Sequence, residues 1–226
     1  MPSFVSGGTV LQRFTVHTNP ASPYGRAVMA TLEEKGASFH LARLAFRSPE
    51  RLALHPFGRI PIFEDDGFRL YETQAILRYI DRILPTPPLT PEDPRRAARM
   101  DQVMNINDWY LYQGVANVIL FQRIVAPREL QIAPNEESIR TAMPKAQLVF
   151  NELARLLGQQ PYFVGDTLSL ADLLVAPTMA IFSRTPEWAT LAIPHANLLA
   201  WLDRMNQRPS MTATSLERLS VIGDVA

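Results

Sequence analysis

The 226-residue chain contains no cysteine, which excludes disulfides, thiolate metal sites and a protein thiol nucleophile. It has no excess of charge of either sign, with 22 Lys and Arg against 22 Asp and Glu. A net charge of zero gives no long-range attraction to nucleic acid or to an anionic membrane, so neither is expected as a partner. The histidines His17, His40, His55 and His195 have no partner at metal-ligand spacing and HExxH is absent, so no metal is expected. No glycine-rich loop matches GxxxxGKS/T or GxGxxG, which leaves nucleotide binding without support. Apolar runs stay short of membrane-spanning length. The N-terminal MPSFVSGGTV has neither a basic stretch nor a sustained apolar core, so no secretory signal is read there and a cytoplasmic location is the expectation.

What is present is a hydrophobic share of 47%, enough at this length for one large domain or two modest ones with cores. The most informative stretch is His55 to Ile80, HPFGRIPIFEDDGFRLYETQAILRYI. Two short apolar runs flank Asp66-Gly67 and read as a hairpin with a type I′ turn, whose two central residues need positive φ. Thr73 reads as an N-cap, because apolar residues recur at helical spacing from Ala75 to Leu84. A helix N-terminus opening at a strand edge suits a carboxylate, since unpaired N–H groups and the helix dipole point at it. Glu72, directly before it, suits a cationic amine. The pair matches both ends of an α-amino-acid head group, although helix capping alone explains the same two residues. Pro61 lacks a ladder donor where the first strand begins, which points to an edge or a cis turn exposing the N–H and C=O of Ile60.

The run GRIPIFEDDGFRLYETQAILRYI resembles the glutathione-binding half of the cytosolic glutathione transferases, with Thr73 where that family's Glu-Ser helix start has serine. The resemblance implies that the backbone of Ile60, beside Pro61, pairs with the cysteinyl part of glutathione. It also implies that Glu72 and Thr73 hold the γ-glutamyl amine and carboxylate. Arg59 falls where the family places a polar side chain near the glutathione backbone, and Arg47 near a loop that contacts the glycyl carboxylate. A guanidinium can grip a carboxylate through two parallel bonds, but a lone arginine is more often an ordinary surface residue. A second segment, FVGDTLSLADLLVAP at 163–177, resembles the folding motif of the family's C-terminal domain. Ser169 and Asp172 have N-cap and N3 spacing, with Leu168 and Leu173 placed to staple across them, so Asp172 reads as a structural cap. The missing cysteine removes the cysteine-using branches.

Elsewhere the chain reads as a strand on Val10, Leu11, Phe14 and Val16, a loop NPASPYGR, a helix closed by Gly36, and a strand over 38–44. One or two helical turns follow between Arg47 and Leu54. Five prolines in LPTPPLTPEDP leave no room for a regular element. A helix from Arg95 to about Val125, about 45 Å long, is expected to stop at Pro127. The next runs from Glu136 to Leu157, capped by Asn135, closed by Gly158 and bent at Pro144. A short helix within 186–192 and a last one over 195–207 complete the list, and the tail from Ser210 is unassigned. Periodicity alone does not fix the topology. With the resemblance, the expectation is a thioredoxin-like α/β N-terminal domain (9–84), a proline-rich linker (85–94) and an all-helical C-terminal domain (95–226).

A thiol of pKa near 8.5 is mostly protonated at neutral pH, and lowering it by two units takes about 2.7 kcal/mol. A hydroxyl donor beside a helix N-terminus can supply that. The hydroxyls of TNPASPYGRAV are Thr18, Ser22 and Tyr24. Asn-Pro-Ala-Ser, followed by Arg26 and Val28, resembles the serine-using plant-type and bacterial branches, which makes Ser22 the expected catalytic residue. Tyr24 is its rival, and simple capping also explains Ser22. Asn105, Trp109 and Tyr112, crowded with Asp108 and Tyr110, are candidates for a second-substrate pocket, while core packing explains such an aromatic group equally well. The resemblance implies conjugation of glutathione to a small hydrophobic electrophile. The alternatives are a non-catalytic binder of glutathione or an apolar ligand, and a glutathione-dependent isomerase of the maleylacetoacetate branch. Phe57, on an exposed-looking turn, suggests a homodimer, since some members insert an aromatic here into the partner's helical domain. The competing reading folds Phe57 into its own core.

Overall fold

The computed structural model describes residues 13–45 and 48–222; Val10, Leu11 and Arg47 lie outside the described residues. Strand β1 (Phe14–Thr18) pairs in parallel with β2 (Phe39–Arg43) and antiparallel with β3 (Ile62–Asp65), which forms a hairpin with β4 (Phe68–Tyr71). The sheet order is β2-β1-β3-β4. Central β1 buries Phe14, Val16 and Thr18 at alternate positions, the period of a strand that packs one face on a core. Helix α1 (Pro23–Glu34) crosses from β1 to β2, α2 (Pro49–Leu54) precedes the hairpin, and α3 (Thr73–Ile83) follows it. This is the thioredoxin-like α/β arrangement expected.

The hairpin turn has φ of 46° at Asp66 and 86° at Gly67, as a type I′ turn demands. Its exit corrects the expected cap by one residue. Glu72 holds the N-cap position at φ 70°, and Thr73 is the first helical residue. The chain turns from strand to helix within one residue, and a positive φ at a glutamate leaves no trace in composition.

The second unit is all helical. Its spine is one continuous helical run: α4 (Pro94–Ile106), a π-helical stretch (Asn107–Ala116), α5 (Asn117–Leu120), a second π stretch (Phe121–Val125) and α6 (Ala126–Glu129). Pro127 does not stop it as expected. A proline ring normally strikes the carbonyl four residues back, here Arg123, which sits in the wider π turn. Helix α7 (Glu136–Leu157) has the expected bounds, with Asn135 Oδ1 accepting from Ser138 N at 2.9 Å and Gly158 at φ 58°. It runs on through Pro144.

Helix α8 (Leu170–Phe182) is buried at nearly every position. The fully buried Asp172 in its first turn accepts from Ser169 N, Ser169 Oγ, Phe163 N and Trp201 Nε1 at 2.7–3.0 Å. Four donors on one carboxylate make the structural cap read from the sequence. Helices α9 (Trp188–Leu191) and α10 (Ala196–Asn206) follow.

The tail from Ser210 forms α11 (Pro209–Ala213) and α12 (Leu216–Ile222). Arg26 of α1 donates to Met211 O at 2.8 Å, and Glu34 of α1 accepts two bonds from Arg208 at 2.7 and 2.8 Å. Helices this short are marginal alone; docking on α1 holds α11, and α12 is held by Arg43 of β2, which donates to Leu219 O, and by the Arg184–Glu217 pair.

Helix α1 is the shared wall. It packs on α3 of the first unit and on α8 and α11 of the second, and Ala27, Val28, Met29, Ala30 and Leu32 are wholly buried there. Residues 84–93 carry no helix or strand, yet they are tied down on both sides. The buried Lys35 Nζ donates to Asp81 Oδ1 at 2.6 Å and to Pro87 O at 2.5 Å. Asp81 Oδ1 also accepts from Leu89 N at 3.0 Å, and Leu89 O accepts from Leu170 N of α8 at 3.0 Å.

Candidate functional site

A cleft of about 990 Å³ separates the first unit from the long helix, a volume at the top of the usual range for one ligand. On one side it is lined by Ser22 after β1, by Arg59, Ile60 and Pro61 before β3, and by Glu72 and Thr73 at the start of α3. The Ile60-Pro61 peptide bond is cis. Trp109 and Tyr112 line the opposite wall. Asn105 does not reach it: its exposed side chain turns back to bond Asp101 O at 2.9 Å. Tyr110, 63% exposed, points elsewhere too. Asn105 lies about one turn ahead of Asp108, where the lining of this helix begins, and its amide is spent on its own helix.

Ser22 is the N-cap of α1, and its Oγ accepts from Gly25 N at 3.2 Å. Capping uses a lone pair and leaves the hydroxyl hydrogen free to be donated. Proline at the next position has no N–H to compete. The position is held by a close approach: Gly25 lies against buried Thr18 at the end of β1, where no Cβ fits.

Tyr24 is committed differently. Its hydroxyl donates to Asp108 Oδ1 at 2.8 Å, and burial with the Asp108 charge pushes its pKa far above the ordinary 10. Asp108 also accepts from Gln74 Nε2 at 2.7 Å and Asn107 Nδ2 at 3.0 Å, so one carboxylate joins α1, α3 and the long helix at the cleft. Asp108, one of the residues crowded around the candidate pocket in the sequence, does line the cleft, whereas Gln74 carries no signal, because nothing local to it points to a partner 34 positions away. Burial likewise raises the Tyr112 phenol, against the opposing field of Arg59.

Arg51 and His55 line the cleft as well. His55, 2% exposed, accepts from Phe57 N through Nδ1 at 3.1 Å and stacks on Tyr71 at 4.5 Å between centroids. Burial holds its pKa below the ordinary value, opposed by Glu72. The signal in the sequence is a histidine two residues ahead of the amide it caps. Phe57 itself is 71% exposed, which rules out the reading that folds it into its own core. Among the described residues no group of three or more His, Asp or Glu could hold a metal ion, and no helix is long and apolar enough to cross a membrane.

A thioredoxin-like unit with a cis-proline hairpin, joined across a cleft to a helical unit, defines the architectural class. The comparisons narrow this. The family described as Glutathione S-transferase, N-terminal domain matches residues 12–82, and Glutathione S-transferase, C-terminal domain matches residues 116–209. The chain is 32% identical over 191 residues to the probable glutathione S-transferase GSTF1 of Oryza sativa subsp. japonica, covering 81% of this chain and 87% of that one. The crystal structure of glutathione transferase F7 from Populus trichocarpa superposes with a TM-score of 0.80 at 26% identity, over 89% of this chain and 97% of that one. A structure of glutathione S-transferase-I bound with lactoylglutathione gives 0.79 at 25% identity, over 90% and 98%. The chain belongs to the glutathione S-transferase family and is a transferase.

Proposed function

We propose that the cleft binds glutathione and conjugates its thiol to a hydrophobic electrophile, with Ser22 as the thiol activator of a serine-type enzyme. The observation that carries this is the division of labour between two hydroxyls. Ser22 Oγ accepts from Gly25 N and keeps its hydrogen to donate to a thiolate, whereas the hydrogen of Tyr24 is spent on Asp108. A phenol held protonated beside a carboxylate is a poor stabiliser of a second anion. Glu72 and Thr73 take the γ-glutamyl head group, and the backbone of Ile60 beside Pro61 takes the cysteinyl part. Arg59 serves the tripeptide's backbone. The lactoylglutathione held by a relative of the same fold supports a glutathione-sized ligand here. Trp109 and Tyr112 face the electrophile. Phe57 inserts into a second copy, making a homodimer.

The pH dependence of conjugation of a generic aryl halide in Ser22→Ala and Tyr24→Phe tests the assignment. Ser22→Ala is expected to raise the kinetic thiol pKa toward 8.5 and lower turnover at neutral pH by about 10²-fold or less. Tyr24→Phe keeps the pKa. Near wild-type turnover with an unchanged pKa in Ser22→Ala would sink the assignment. Retention on immobilised glutathione without conjugation of several electrophiles would favour a binding protein.

A further inference from the structure

Two arginines of the first unit end on backbone carbonyls of the last two helices. Arg26 Nη2, in the first turn of α1, donates to Met211 O of α11 at 2.8 Å, and Arg43 Nη2, at the end of β2, donates to Leu219 O of α12. Both carbonyls lie in the last turn of their helix, where the backbone supplies no partner within the helix itself. Ser215 N, the amide placed to close on Met211 O, bonds Thr212 O instead. Each guanidinium is therefore a C-cap supplied by another element, a cation at the negative end of a helix. Met211 and Leu219 are themselves buried, so α11 and α12 form a clasp whose side chains adhere while the arginines fix where it closes.

The two arginines stand beside the groups that hold Ser22. Arg26 follows Gly25, whose N–H donates to Ser22 Oγ at 3.2 Å. Arg43 precedes Leu44, whose N–H donates to Thr18 O at 3.0 Å, and the Thr18 side chain is what Gly25 lies against. The clasp thus reaches the β1–α1 junction from two sides, one residue away on each. From Leu219 a contiguous run of bonded and packed groups passes through Arg43, Leu44, Thr18 and Gly25 to the Ser22 hydroxyl, the physical continuity that coupling between distant groups needs. Arg26 Nε is buried without an acceptor among the described residues, and burial lowers the pKa of its guanidinium. A methionine there would avoid the cost of that orphaned donor, which makes Arg26 a probe that separates position from stability.

We propose that Arg26 and Arg43 are positioning residues, through which the C-terminal clasp holds the β1–α1 junction and with it the thiol donor Ser22. The proposal rests on the assignment of Ser22 above and deepens it. With the clasp seated, Ser22 Oγ stays against Gly25 N on the cleft wall. With the clasp lifted, α1 and β2 are free to shift about Thr18, and the hydroxyl leaves the thiolate it serves.

Arg26→Met, Arg43→Met and Leu219→Asn are made in the full chain, the last lifting α12 by placing an amide where a buried leucine packs. The kinetic thiol pKa is read from the pH dependence of aryl-halide conjugation, and the urea midpoint is read beside it. Arg43→Met and Leu219→Asn are each expected to raise that pKa by about 0.5 or more, a threefold change in the thiol–thiolate equilibrium. Combined, they raise it no further than the larger single change, because both act through α12. Arg26→Met is expected to raise it with the urea midpoint near the parent's, since relief of the orphaned donor offsets the lost cap. An additive pair, or thiol pKa values that stay put whatever the urea midpoint does, overturns this inference and leaves the conjugation reading intact. If the parent conjugates none of several aryl halides, the conjugation reading fails and amide exchange decides the clasp alone. Faster exchange at Gly25 and Leu44 in Leu219→Asn then supports it, and exchange like the parent's overturns it.

Discussion

Replacing Gly25 with alanine tests whether the β1–α1 junction positions Ser22. A Cβ at Gly25 would overlap Thr18 Oγ1 and come within 2.8 Å of Thr18 Cβ and Cγ2. Thr18 is wholly buried at the end of the central strand, and a β-branched side chain has few rotamers into which to retreat. Helix α1 must therefore lift away from β1. Overpacking of this kind costs about 1–3 kcal/mol, and the better helix propensity of alanine returns up to about 1 kcal/mol, leaving a net loss of about 1–2 kcal/mol. Because Gly25 N is the donor to Ser22 Oγ at 3.2 Å, the same movement displaces the proposed thiol donor. Urea unfolding measures the first effect, and kcat/KM for conjugation at neutral pH, with the folded fraction confirmed, measures the second. Thr18→Ala removes two of the three clashing atoms, so the double variant should recover part of both losses, with a coupling of about 1 kcal/mol. A Gly25→Ala protein as stable and active as the parent, or a strictly additive double variant, would refute the reasoning.

Asp172→Asn puts an amide nitrogen where the carboxylate now accepts several bonds inside the core. It should cost about 3 kcal/mol or more, read by denaturant midpoint, while Trp201→Phe, losing one of those bonds, should cost less. Phe57→Ala removes a side chain 71% exposed; if it anchors a dimer, the dissociation constant measured by light scattering should rise by the equivalent of about 2 kcal/mol, and unchanged dimer affinity counts against the anchor. His55 is held neutral by burial, so the unfolded chain takes up its proton near pH 6.5 and the folded one only lower. This contribution to stability is present above that range and is lost as pH falls through it. His55→Gln should flatten that part of the pH profile of the unfolding midpoint.

Local chemistry carried much of the fold into view. Asp66-Gly67 announces its turn, Asn135 and Gly158 bracket α7, and Ser169 with Asp172 marks the start of α8, because each is decided by neighbours within a few residues. The half of the cleft built from Arg59 to Thr73 shares that property. What escaped was decided at a distance. Nothing near Pro127 tells that the turn before it widens to make room, and nothing near Asn105 tells that the wall begins three residues later. Asp108 meets Tyr24 and Gln74 only because α1 and α3 are already packed. The positive φ of Glu72 shifted the helix start by a residue for the same reason: the sharp corner is imposed by the hairpin behind it.

The strap between the two units sets a limit on how this protein can be taken apart. Lys35, Asp81 and Leu170 hold Pro87 and Leu89 from both sides, so the run of prolines behaves as a seam and not as a tether. A chimera that joins this first unit to the helices of a relative at residue 84 would leave a buried lysine and aspartate facing foreign backbone. One joined beyond Thr90 would carry the knot across whole and need only present a free amide where Leu170 stands. Interchange of parts between relatives is thereby confined to breakpoints that respect the seam.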